Sequence, residues 1–72
     1  MKVVKTNNQG WQLVNGNWWS IIRPNGNGTN SVAHVGQEKH VKKMWNERFC
    51  KIVQRNDMGL LEVIGTDSSL RV

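Results

Sequence analysis

Short runs of β-favouring residues separated by Asn- and Gly-rich punctuation fill the first half of the chain, and a period of three to four replaces them in the second. Lys2–Lys5 reads as a short strand closed by Asn7-Asn8-Gln9-Gly10. Trp11-Gln12-Leu13-Val14 and Trp18-Trp19-Ser20-Ile21-Ile22-Arg23 flank Asn15-Gly16-Asn17, and Asn-Gly between such runs is a strong hairpin signal. The polar loop Pro24–Asn30 leads to a further strand candidate at Ser31–Val35, for which a helix is the competing reading. From Gln37 to Arg55, Val41, Met44, Trp45, Phe49, Ile52 and Val53 recur at helical spacing and predict one amphipathic helix. Asn56–Gly59 stops it, and Leu60–Ile64 reads as a closing strand. The expected fold is small α+β: an antiparallel β-meander of three to four strands packed on one amphipathic helix, with a short C-terminal strand. Residues 1–64 form the single domain and 65–72 a loose tail.

The register of the Asn15-Gly16 hairpin decides what its tryptophans do. A two-residue turn sets Leu13 opposite Trp18 and puts Trp11, Leu13, Trp18, Ser20 and Ile22 on one face. Gln12, Val14, Trp19, Ile21 and Arg23 then share the other. A three-residue loop reverses this grouping and joins Trp19 to Trp11 and Leu13. The two-residue turn is the expectation, so Trp11, Trp18 and Trp45 are assigned to the core. Trp19 is the residue whose exposure would signal a binding surface.

Composition narrows the function. In 72 residues there are four Trp, one Phe, no Tyr and a net charge of +5. Residues 1–37 contain Lys2, Lys5 and Arg23 and no acid. Such a surface favours a polyanion or an acidic protein patch and counts against mimicry of DNA, which requires an acidic surface. The helix side opposite the apolar stripe carries Lys39, Lys42, Lys43, Asn46, Glu47 and Cys50. Its lysines suit sequence-independent phosphate contact, although an ordinary solvated helix face has the same pattern. A chain this short buries only about 60% of its unfolded surface, and dimerisation is one route to complete a thin core.

Catalytic and metal chemistry have no assembled residue set. His34, His40 and Cys50 match no zinc spacing, and Glu38, Glu47, Asp57, Glu62 and Asp67 are scattered. Cys50 is ten residues beyond His40, about 15 Å along a helix, too far for a nucleophile–base pair. It is read as an inert surface thiol. With one cysteine and no apolar leader or membrane-length run, the expected location is cytoplasmic.

Trp18-Trp19-Ser20-Ile21-Ile22-Arg23-Pro24-Asn25-Gly26, within a strand–turn–strand–loop–strand–helix order from Gly10 to Phe49, resembles plant AP2-type DNA-binding domains and the arm-binding domains of phage-type integrases. The resemblance implies a three-stranded sheet laid against DNA and braced by a helix. The N-terminal strand and Leu60–Ile64 depart from it. The expectation is a non-enzymatic, nucleic-acid-binding module without cofactor, metal or small-molecule substrate, using Trp19, Arg23, Lys39, Lys42 and Lys43 for backbone contact and stacking. The alternative is a protein-binding inhibitor or adaptor of phage or mobile-element type, with an exposed Trp/Arg patch as its hot spot.

Overall fold

The computed structural model describes residues 1–72. The elements in order are β1 (Lys2–Thr6), β2 (Gln12–Asn15), β3 (Trp19–Pro24), β4 (Asn30–Gly36), α1 (Glu38–Arg48), β5 (Lys51–Arg55), β6 (Leu61–Thr66) and a 3-10 turn at Ser68–Leu70. Strands β1 to β4 form one antiparallel sheet in chain order, and β5 and β6 form a separate two-stranded ribbon. The α+β class and the meander are as expected, with four strands.

Two of the hairpin loops share one chemistry. Asn7 and Asn56 each begin a loop that ends three residues later in a glycine of positive φ, Gly10 at 87° and Gly59 at 76°. The side-chain Oδ1 of Asn7 accepts from the N–H groups of Gln9 and Trp11 at 3.0 and 2.9 Å. That of Asn56 accepts from Met58 and Leu60 at 2.9 and 3.0 Å. In both, the glycine N–H donates to the Asn carbonyl, and the Asn N–H donates to the residue after the glycine. Asparagine thereby supplies an acceptor that the tight loop lacks, and glycine takes the backbone conformation disfavoured for other residues.

The β2–β3 hairpin does not use the expected two-residue turn. Asn15 pairs with Trp19 and Leu13 with Ile21, leaving Gly16-Asn17-Trp18 as a three-residue loop in which the Gly16 N–H donates to Trp18 O at 3.0 Å. The expected turn needs positive φ at Asn15 and Gly16, and neither has it. The observed register puts Trp19 and Ile21 on the helix-facing side in place of Trp18, Ser20 and Ile22, and it encloses Ile21 completely while Ser20 turns to the other face. The reversal corrects the tryptophan assignments. Trp18 is 63% exposed, whereas Trp19 is partly buried and packs on the core.

Helix α1 also ends earlier than its periodicity predicts. It stops at Arg48, with the Phe49 N–H donating to Trp45 O, and Ile52 and Val53 belong to β5 rather than to an apolar helix stripe. Adjacent β-branched residues favour a strand, and the Asn56 loop brings 51–55 back against β6. Cys50 therefore does not lie on a polar helix face. It is fully buried in a core with Leu13, Ile21, Val41, Trp45 and Leu70.

Only eight residues are buried, so each core group carries a large share of stability. Trp45 is completely enclosed, which is worth at most about 4–6 kcal/mol of apolar transfer. Its ring stacks on Phe49 at 5.6 Å between centroids, and Phe49 meets Trp11 at 4.7 Å. The indole Nε1–H donates to Leu70 O at 2.8 Å, so the buried polar atom is satisfied. Residues 65–72, expected as a loose tail, thus hold the core's far side. Asn46 adds a two-bond clamp on Val72, donating from Nδ2 to its carbonyl and accepting its N–H, each at 2.9 Å.

Candidate nucleic-acid interface

Helix α1 presents its polar side away from β3 and β4. Lys39, Lys42 and Lys43 lie there together and line one shallow depression with Asn46, Glu47 and Arg71. Spacings of three and four residues put these lysines on one helix face. Arg71 joins them because Leu70 is anchored under Trp45 and Asn46 clamps Val72 on either side of it. The four cations face one carboxylate in that depression, Glu47. Arg71 was not anticipated from the sequence. Its signal is Leu70, a large aliphatic after the polar run Gly65–Ser69.

Trp19 and Lys42 are brought into contact. The Lys42 Nζ sits 4.6 Å from the Trp19 ring centroid and 3.3 Å from Glu38 Oε1. This cation–π contact occupies the ring that was expected to be free for stacking. The exposed ring is that of Trp18, which shares a second depression with Val35 and Gly36. Gly36 lies against His40 and Val41 in the first turns of α1, so Trp18's depression adjoins the strand end that leads into the helix. Arg23 is not part of this grouping. It is exposed near the opposite end of β3 from Trp19, about 13 Å away along the strand, and pairs with Ser31.

The sheet surface turned away from α1 differs from what the resemblance implies. Val3, Val14, Ile22 and Val32 line it with Met1, Gln12, Asn30 and Ser31, and no Lys or Arg joins them. The strand–strand–strand–helix order agrees with the resemblance, but the sheet face lacks cations to meet phosphate.

The Cys50 thiol makes no hydrogen bond to a base. Burial pushes its thiol pKa up and Asp67 adds to this, while Arg71 and Lys5 oppose it. The Sγ–H lies 3.4 Å from Trp45 O, an interior hydrogen bond rather than an activated nucleophile. His, Cys, Asp and Glu side chains form no group of three able to ligate a metal, and no helix is long and apolar enough to cross a membrane. Comparisons with protein-family models, with curated proteins and with solved structures find no match to this chain.

Proposed function

We propose that this chain is a small non-enzymatic module that binds nucleic acid through its phosphate backbone. The observation that carries the reading is the gathering of Lys39, Lys42, Lys43 and Arg71 around one depression, contributed by two separate segments. Lysine ammonium groups act as point charges on phosphates and hold the module on a strand without reading bases. The exposed Trp18 replaces Trp19 as the stacking group, a contact worth about 1–3 kcal/mol per base.

A binding titration on a short oligonucleotide across a salt series tests this. Three to four phosphate contacts give a log–log slope of roughly −3 on duplex DNA. Replacing Lys39 and Lys43 together by Ala should reduce that slope by about 2, because each lysine accounts for one contact. Absence of binding at low salt, or a slope unchanged in the double variant, overturns the reading.

A second reading rests on Trp18 itself. It stands 63% exposed beside Val35 at 59%, an aromatic–aliphatic pair of the kind that anchors protein interfaces. In this reading the chain is an adaptor or inhibitor anchored on a partner protein by Trp18. Binding would then be nearly independent of salt and lost in Trp18→Ala.

A further inference from the structure

The β5–β6 ribbon is an arm with two unlike faces. Val53 pairs with Val63 and Arg55 with Leu61, so these project from one side, while the Gln54–Glu62 pair projects from the other. The apolar side is uncovered: Leu61 is 58% and Val63 59% exposed. Ile64, the extra residue at the bulge, is 52% exposed, and Leu60 at the loop end 59%. A lone two-stranded ribbon is marginal in water and needs packing on its apolar face. The four-stranded sheet has the same deficiency on its side away from α1, where Val3 is 49% and Val32 62% exposed.

We infer that the apolar face of the arm packs on the open sheet face of a second copy of this chain, and reciprocally, in a two-fold dimer. Two observations select a second copy. The molecule exposes 5177 Å², whereas a compact monomer of 8.2 kDa exposes about 4,500 Å². The excess of about 600 Å² is close to the roughly 800 Å² that each partner contributes to a standard interface. The shape agrees, with a Cα radius of gyration of 12.8 Å against about 11 Å for a compact chain, and extents of 43 × 28 × 15 Å. Second, both uncovered faces are on one chain, so one symmetric contact made twice satisfies all four in the pair. None of the residues on these faces lines the depression around Lys39 and Lys43, so Val63→Lys and Val32→Lys leave the lysine cluster unchanged.

Sedimentation equilibrium of the full chain at micromolar to submillimolar concentration tests the inference, with Val63→Lys and Val32→Lys as variants. Both valines are more than half exposed, so the substitutions leave the monomer fold in place, which far-UV circular dichroism checks. A dimer weakened at least about 30-fold by either change is the expected result. A wild-type monomer throughout the range overturns the inference. So does a dimer sensitive to Val63→Lys but indifferent to Val32→Lys, which would mean arm against arm. A dimer indifferent to both changes overturns it as well.

Discussion

At the scale of single residues, Cys50 shows how position rather than type sets reactivity. Its thiol is enclosed by apolar neighbours, and burial raises its pKa. The folded protein therefore holds that proton more tightly than the unfolded chain, whose thiol ionises near pH 8.5. Above that pH the unfolded state binds fewer protons, so unfolding becomes easier as pH rises toward the raised folded value. Below it the thiol leaves stability independent of pH. Urea melts between pH 7 and pH 10 should show a fall in wild-type stability that is shallower in Cys50→Ala. Equal slopes in the two proteins would show that the thiol does not contribute. The tryptophans teach a related lesson. That one of the adjacent pair Trp18-Trp19 would be exposed follows from strand alternation. Which one depends on whether the loop contains two or three residues, and Asn15-Gly16 is compatible with both. Deciding it takes the whole core: Ile21 must face Val41 and Trp45, a constraint that no local window contains.

At the scale of elements, the docking of residues 65–72 is the least expected part of the fold and the easiest to test. Leu70 is 8% exposed and its carbonyl receives the Trp45 indole. Leu70→Ala should cost about 2–5 kcal/mol, read as a lowered urea midpoint. A loose tail would tolerate the change within about 0.5 kcal/mol. A chain of this length has only about 4–11 kcal/mol of stability, so the difference is large. Strands β1 to β4 and the start of α1 were legible because alternation and turn residues are local signals. The end of α1 was not. Ile52 and Val53 fit a helical stripe and a strand equally well by spacing. What separates them is the pairing of 51–55 with 61–66, which depends on the loop at Asn56. The basic cluster was legible in Lys39, Lys42 and Lys43 because helical spacing is rigid. Arg71 was hidden because its place follows from a tertiary contact, and Arg23 was misjoined because strand residues four apart diverge in space.

At the scale of the whole molecule, every sheet pairing joins strands adjacent in the chain. That feature has a kinetic consequence. Short loops close with little entropy, so the meander and the arm can each form without waiting for distant segments, and folding should fall in the millisecond range or faster. Non-local contacts join the helix to the sheet, as in the core of Leu13, Ile21, Val41 and Trp45, and others tie the tail back: Leu70 with Trp45, Val72 with Asn46, and the Lys5 Nζ with Ser69 O at 2.9 Å. The tail contacts span 25, 26 and 64 residues, and the expectation is that they form last. In stopped-flow tryptophan fluorescence, Leu70→Ala should accelerate unfolding while leaving the refolding rate nearly unchanged. An equal slowing of refolding would place the tail in the folding nucleus instead. If only unfolding accelerates, the tail acts as a latch, setting how long the native state survives rather than how quickly it is reached.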